Sequence, residues 1–140
     1  MLRSISHLGL AVKDLDAAIR LYEDVFGLRV AHRWAAKADR MEAASFRVGD
    51  LEIELMQPTE PDSPVGRFIE RRGEGIHHIA YKVDDVADAL HRARDAGMET
   101  IDEEPRPGGD GRTLIGFLHP RSTLGVLTEL EEDVRPTERS

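Results

Sequence analysis

Apolar and polar positions follow the same pattern twice along the chain. Each copy opens with a nearly continuous apolar run, residues 5–12 in the first half and residues 76–83 in the second, which is typical of a buried strand. Apolar residues at helical spacing follow each run, after an aspartate N-cap that is Asp14 in the first copy and Asp84 or Asp85 in the second. A glycine then stops each helix, so each copy begins with a strand and an amphipathic helix.

Shorter segments with a period near two follow each helix. The predicted strands are residues 28–33, 41–48 and 51–56 in the first half and residues 100–103, 113–118 and 125–130 in the second. Gly49 and Asp50 form a hairpin-type pair between the last two strands of the first half. Ser63 and Pro64 indicate the start of a short helix between the halves. Residues 131–140 are charged, lack a pattern and are expected to fray.

The repeat of a strand, a helix and three strands indicates an internal duplication. At a constant offset His7 aligns with His78, and the apolar positions that follow them align as well. A unit of half this length buries little apolar surface alone. We therefore predict one α+β domain formed by two tandem βαβββ modules. The predicted bounds are residues 1–140 for the domain, 4–57 and 75–131 for the modules, and 58–74 for the linker.

Composition excludes several classes of site and partner. The chain has 140 residues and no cysteine, so any metal site must use nitrogen and oxygen donors. The formal net charge of −8 disfavours a nucleic-acid-binding surface, which is normally basic. No apolar run approaches the roughly 20 residues that span a bilayer, and the N-terminus lacks the apolar core of a signal peptide. We expect a cytoplasmic protein that binds neither nucleic acid nor membrane.

Two histidines and two glutamates occupy equivalent positions in the two copies. His7 and His78 lie on the first strand of each module, and Glu54 and Glu129 lie near the end of the last strand. If a pseudo-twofold axis relates the modules, these side chains converge, and their donor atoms suit Zn²⁺, Co²⁺, Mn²⁺, Ni²⁺ or Fe²⁺. Strand alternation points His77 away from His78, so His77 is not expected to be a ligand.

Paired modules with ligands on the first and last strands of each resemble the vicinal oxygen chelate superfamily, which includes glyoxalase I and the fosfomycin-resistance proteins. Within it, the segments GEGIHHIAYKVDD, DEEPRPG and HPRSTLGVL are similar to the methylmalonyl-CoA epimerase family, and the similarity extends over about residues 4–131. The resemblance implies a curved mixed sheet around a metal-binding cleft. It also implies interconversion of (2R)- and (2S)-methylmalonyl-CoA by proton transfer at C2 through a metal-stabilised enolate.

The resemblance also assigns roles to the candidate residues. It implies that His7, Glu54, His78 and Glu129 bind a divalent ion such as Co²⁺, Mn²⁺, Zn²⁺ or Ni²⁺. Glu129 would act in addition as one of two catalytic bases. The implied substrate is an acyl-CoA, and we expect the assembly to be a homodimer. The candidates for contact with CoA phosphates are arginines of the second half, Arg106, Arg112 and Arg121.

The second catalytic base is the point at which this chain departs from the family. Family members place a glutamate on the second strand after the helix. The register expected from the two-residue hairpin puts Ala43 at that position and turns Glu42 to the other face. A bulge would exchange the faces and bring Glu42 into the cleft. The expected catalytic residues are therefore Glu129 and, through such a bulge, Glu42, with Glu52 as the other spare carboxylate.

Two other functions remain open. A glyoxalase I-like lyase would use the same metal site to isomerise a hemithioacetal. A non-catalytic binding protein of the same fold would sequester a small molecule, but such binders usually line the cleft with aromatic residues. This chain has one Trp, two Tyr and four Phe residues, which favours an enzyme.

Overall fold

The computed structural model describes residues 1–134. Contacts divide the described chain into two compact units: a first unit of residues 7–77, and a second unit of residues 1–6 and 78–134. The strands are β1 (Ser4–Ala11), β2 (Val30–Ala36), β3 (Met41–Val48), β4 (Leu51–Pro58), β5 (Gly75–Lys82), β6 (Arg106–Pro107), β7 (Thr113–Leu118) and β8 (Thr128–Asp133). The helices are α1 (Leu15–Arg20), α2 (Pro64–Arg72) and α3 (Val86–Asp95), with a π-helical turn at Leu21–Val25 and a 3₁₀ turn at Pro120–Ser122.

The predicted α+β fold with two βαβββ modules is confirmed, because each half contains a strand, a helix and three further strands in that order. The boundary between the two compact units falls within β1 and within β5. The residues of the predicted linker, 58–74, belong to the first unit. The contact-defined units therefore differ from the predicted modules, and the single-domain organisation stays a prediction.

In the first unit the strands lie in the order β2-β3-β4-β1. β3 is antiparallel to both of its neighbours, and β4 is parallel to β1. Helix α1 packs Leu15 against Phe46 and Leu55 on one face of this sheet. Helix α2 packs Val65 against Met56, which points to the opposite face because it follows Leu55 directly. Complete burial of a side chain such as Phe46 stabilises the fold by about 1.5–3 kcal/mol.

In the second unit the strands lie in the order β5-β8-β7-β6. β5 and β8 are parallel, and the other two pairs are antiparallel. Helix α3 packs Val86 and Leu90 against Leu130. The helix approaches the sheet closely at Gly116, where an added Cβ would lie 2.8 Å from Leu90 Cδ1. The second unit therefore repeats the helix-on-sheet packing of the first.

Local signals in the sequence define the helix ends. Asp14 Oδ1 accepts a hydrogen bond from Ala17 N at 3.0 Å, and Asp85 Oδ1 accepts one from Asp88 N at 3.0 Å, so both predicted N-caps are confirmed and Asp85 is the cap of α3. Ser63 caps α2 in the same way, which confirms the predicted linking helix. These caps satisfy backbone donors that the helix itself leaves unpaired.

The predicted strand at residues 100–103 is wrong. Thr100 forms an isolated bridge to Leu118. The Asp102 side chain then takes the place of a strand backbone, because its Oδ2 accepts a hydrogen bond from Phe117 N at 2.8 Å. β6, which follows at Arg106–Pro107, pairs with β7 instead. A side chain that replaces a ladder hydrogen bond leaves no period-two pattern, so the sequence could not reveal this arrangement.

The last strand begins later than predicted. A 3₁₀ turn and two residues with left-handed backbone, Leu124 (φ 63°) and Gly125 (φ 87°), keep the chain turning beyond residue 125. β8 therefore runs from Thr128 to Asp133 rather than over residues 125–130. Residues 131–133, which were expected to fray, belong to this strand. The rest of that predicted segment, from residue 135, lies outside the described residues.

Candidate metal centre

In the second unit, a histidine and a glutamate meet on parallel strands. His78 on β5 and Glu129 on β8 are both buried, with 4% and 5% of their surface exposed. His78 Nε2 lies 3.0 Å from Glu129 Oε1. The register pairs Glu129 with Ala80, two residues after His78, so both side chains project from the same face of the sheet.

The first unit repeats this arrangement. His7 Nε2 on β1 lies 3.6 Å from Glu54 Oε2 on β4, and both side chains are largely buried. Here the register pairs Glu54 with Gly9, again two residues after the histidine. The equivalence inferred from the sequence repeat therefore extends to strand register and to the donor atoms that face each other.

Each pair has the geometry of two ligands of one ion. Imidazole nitrogen and carboxylate oxygen bind Zn²⁺ at about 2.0–2.2 Å, so two such donors that subtend about 90–120° at the ion lie about 3.0–3.6 Å apart. The pairs His78–Glu129 and His7–Glu54 match this separation. Neutral imidazole and carboxylate donors suit divalent ions of the Zn²⁺ and Co²⁺ type. The donor chemistry present therefore fits a divalent metal.

The register expected from the Gly49–Asp50 hairpin is observed, and the β3–β4 pairing does not contain the bulge that would bring Glu42 to the face of Glu54. β3 and β4 pair in continuous register from Met41 to Val48, and Ser45 lies opposite Glu54 as the hairpin predicted. Glu42 consequently projects from the other face and is exposed, whereas Ala43 is completely buried on the face of Glu54. A one-residue slip would reverse every side chain of β3, and the buried run that ends at Phe46 opposes it.

Glu52 is the remaining carboxylate near the first pair. It lies directly opposite His7 in the β1–β4 register and, two residues before Glu54, projects from the same face of β4. Its side chain is 29% exposed, and its Oε2 lies 3.4 Å from Arg47 Nη1. Glu52, unlike Glu42, therefore lies beside the predicted ligand His7.

Lys82 forms a charged cluster on the same face of β5 as His78. Its Nζ lies 3.3 Å from Glu131 Oε1 and 2.5 Å from Asp133 Oδ1. Burial opposes the charge on Lys82, but the hydrogen bond to Asp133 and the charge of Glu131 outweigh it and raise the pKa above its ordinary value. Lys82 therefore carries a positive charge at neutral pH.

The other side chains singled out in the sequence have partners of their own. The His77 ring contacts the Phe68 ring of α2 at a centroid distance of 5.0 Å. The three arginines considered for CoA phosphates each form an ion pair: Arg106 with Asp102, Arg112 with Asp110 and Arg121 with Glu99. Their contact with CoA stays a prediction.

Sequence reasoning missed Phe117. It lies directly opposite Glu129 in the β7–β8 register, and its ring packs against the His78 ring in a T-shaped arrangement with a centroid distance of 5.8 Å. The signal that would have found it is the register itself, because β7 was predicted with its observed bounds. The observed bounds of β8, which differ from the predicted ones, determine that Phe117 is the residue of β7 opposite Glu129.

Residues 6–117 match the Glyoxalase/Bleomycin resistance protein/Dioxygenase superfamily, and the chain belongs to this family. It is 33% identical over 134 residues to an ethylmalonyl-CoA/methylmalonyl-CoA epimerase of Cereibacter sphaeroides, covering 94% of this chain and 99% of that protein. It is 30% identical over 129 residues to the mitochondrial methylmalonyl-CoA epimerase of Homo sapiens, covering 91% of this chain and 73% of that protein.

The similarity extends to solved structures. The chain matches a methylmalonyl-CoA epimerase in complex with methylmalonyl-CoA and NH₄⁺ with a TM-score of 0.91 and 36% identity, covering 96% of each chain. The predicted family resemblance is thus confirmed. Within residues 1–134, no helix has the length and apolar character needed to cross a membrane.

Proposed function

We propose that the chain is a metal-dependent epimerase that interconverts (2R)- and (2S)-methylmalonyl-CoA. The observation that carries the proposal is the duplicated histidine–glutamate pair in a chain that matches epimerases of this substrate along nearly its whole length. The family alone includes several chemistries, so the fold does not assign the reaction. The named relatives favour epimerisation over the glyoxalase-type alternative, which would use the same metal site, and over the binding alternative.

We propose further that His7, Glu54, His78 and Glu129 bind one divalent ion together. The duplication supports this assignment, because the two pairs are equivalent in register and in donor atoms. A divalent ion held there would stabilise negative charge on the thioester oxygen of the substrate.

The reaction requires a proton to leave C2 on one face and to return on the other. The C2–H bond lies between a thioester and a carboxylate, so its electron pair can delocalise onto the thioester oxygen when the proton is removed. We propose that a Glu129 carboxylate oxygen takes this proton, because Glu129 is buried beside His78 and opposite an aromatic ring. A second acid then delivers a proton to the opposite face of C2, which inverts the centre.

The second acid is a choice between two carboxylates. The catalytic role of Glu42 stays a prediction, and the register does not favour it because Glu42 is exposed on the face away from Glu54. Glu52 lies opposite His7 and on the face of Glu54, so the register favours Glu52. The proposal as a whole depends on neither residue, because water can also deliver a proton to an enolate.

Deuterium exchange tests the proposed reaction. Incubated in D₂O with (2R)- or (2S)-methylmalonyl-CoA, the metal-loaded protein should incorporate deuterium at C2 and bring either epimer to the same mixture. The matched control is the His78→Ala protein treated with the same metal, which should do neither. Absence of exchange by the metal-loaded protein would refute the epimerase. Turnover of the methylglyoxal–glutathione hemithioacetal in its place would support the glyoxalase alternative.

Several finer properties belong to the same proposal. We expect the ion to be Co²⁺, Mn²⁺, Zn²⁺ or Ni²⁺, which elemental analysis of the purified protein identifies. We expect a cytoplasmic homodimer whose partner molecule is an acyl-CoA. Light scattering measures the oligomeric state directly. A monomer with full activity would remove the dimer from the proposal without affecting the reaction.

A further inference from the structure

Asp102 uses both carboxylate oxygens to hold two different groups of the second unit. Its Oδ2 accepts a hydrogen bond from Phe117 N at 2.8 Å, and its Oδ1 accepts one from Arg106 Nε at 3.1 Å. The side chain is 15% exposed, so these charge-assisted hydrogen bonds lie largely out of water. The adjacent backbone reinforces the contact, because Ile101 N donates to Phe117 O at 2.8 Å. Asp102 therefore holds Phe117 of β7 at the place where a strand at residues 100–103 was predicted.

The Phe117 ring contacts both Arg106, which Asp102 also holds, and His78. The Arg106 guanidinium carbon lies 5.6 Å from the ring centroid, which is a cation–π distance. The His78 ring meets the Phe117 ring at 5.8 Å with an interplanar angle of 79°. Phe117 is also the residue opposite Glu129 in the β7–β8 register. Asp102 thus connects through the Phe117 ring to His78 and, through the β7–β8 register, to the strand position of Glu129.

We propose that Asp102 is a positioning residue for the His78–Glu129 pair, an inference that rests on the proposed function. An imidazole can rotate about its side-chain bonds, and a ring packed against it restricts that rotation. Asp102 holds the Phe117 backbone and places Arg106 over the ring, which restricts the positions from which the ring contacts His78. His78 Nε2 is thereby kept facing Glu129. Residues that orient ligands in this way typically change metal affinity or activity about 10- to 100-fold when lost.

The chain contains a matched control for this carboxylate. Asp110 lies in the same connection between α3 and β7 and uses its oxygens in the same way. Its Oδ1 accepts a hydrogen bond from Arg112 N at 3.0 Å, and its Oδ2 lies 3.5 Å from Arg112 Nε. Both of these partners belong to Arg112, so the interaction does not involve Phe117. Removing a charge from Asp110 therefore reproduces the electrostatic change without the positioning effect.

The experiment compares Asp102→Asn with Asp110→Asn in the full chain. An asparagine offers one acceptor where Asp102 faces two donors, so one donor loses its partner. NMR of the metal-free protein measures the His78 ring resonances, which are assigned by their loss in His78→Ala. We expect Asp102→Asn to shift these resonances, because ring-current shifts depend on the Phe117 ring position. We also expect kcat for methylmalonyl-CoA to fall about 10-fold. Asp110→Asn should change neither.

The outcomes separate this inference from the proposed function. If the wild-type protein does not epimerise methylmalonyl-CoA, the proposed function fails, and the His78 resonances still decide whether Asp102 positions that ring. Unchanged His78 resonances in Asp102→Asn would refute the inference, as would a loss of thermal stability with kcat intact. If Asp102→Asn does not fold, Phe117→Leu replaces it, because leucine keeps the backbone donor and removes the ring. An unchanged kcat in Phe117→Leu would then refute the inference.

Discussion

Replacing Glu42 and Glu52 separately by glutamine determines which carboxylate supplies the second proton transfer. The two changes are matched, since each removes one negative charge from a neighbouring strand of the same sheet. Glu52 lies opposite His7 on the face of Glu54, and Glu42 lies exposed on the other face. Loss of a general acid or base typically lowers the rate about 100-fold or more, which corresponds to about 2.7 kcal/mol. We expect this loss for Glu52→Gln and a change of less than about twofold for Glu42→Gln.

The structure gives a magnitude for the alternative in which Glu42 reaches the cleft by a register slip. The slip would turn Phe46, which is completely buried, to the opposite face. Loss of the packing of that ring alone costs about 1.5–3 kcal/mol, so the slipped form would be populated at about 1–7% at most. If Glu42 could act only in this slipped form, the epimerisation rate would be reduced in proportion to the small population of that form. The register therefore argues against Glu42 in energetic as well as geometric terms.

The assay is epimerisation and C2 deuterium exchange at saturating methylmalonyl-CoA, with metal content measured on the same samples. Metal content should be unchanged in both variants, because neither residue is a proposed ligand. The reasoning would be refuted if Glu42→Gln lost about 100-fold in rate with its metal intact while Glu52→Gln kept wild-type activity. Full activity in both variants would instead point to water as the proton donor.

Three further outcomes are expected. His7→Ala and His78→Ala should each abolish stoichiometric metal in a folded protein, whereas His77→Ala should retain it; elemental analysis decides, and full occupancy in His7→Ala would contradict the shared site. Gly116→Ala should destabilise the protein by about 1–3 kcal/mol through overpacking of α3, and an unchanged thermal midpoint would contradict this packing. The raised pKa of Lys82 means that its contribution to stability is present below its ordinary value of 10.5 and is lost as the pH rises through the folded-state pKa; Lys82→Met should therefore flatten that part of the stability profile, and an unchanged profile would contradict the assignment.

Elements defined by local chemistry could be predicted from the sequence. The aspartate N-caps and the Gly49–Asp50 hairpin depend on residues within three positions of each other, and the structure confirms both. The bounds of β7, Thr113–Leu118, agree with the strand predicted from the sequence pattern of this segment. The histidine–glutamate pairs followed from the repeat rather than from any single motif. A duplication supplies a second copy of each residue, which distinguishes a ligand from a solvated side chain.

Elements defined by distant partners could not be predicted. β8 extends to Asp133 because β7 offers pairing partners that far, although the strand sequence there is charged. The predicted strand at residues 100–103 failed for the reverse reason, since Asp102 satisfies Phe117 N with a side chain. In both cases the deciding hydrogen bond joins segments well separated in the chain. The consequence for the site is direct, because these two segments determine that Phe117 faces Glu129.

The two halves differ at the residue opposite each glutamate. Ser45 lies opposite Glu54 in the β3–β4 register, and Phe117 lies opposite Glu129 in the β7–β8 register. The histidines and glutamates are equivalent in register, as the proposed shared ion would require. An acyl-CoA imposes no such symmetry, since its reacting carbon carries a thioester on one side and a carboxylate on the other. A cleft that binds it must therefore present different surroundings to the two groups, and the exchange of a hydroxyl for an aromatic ring at this one register position is a difference of that kind.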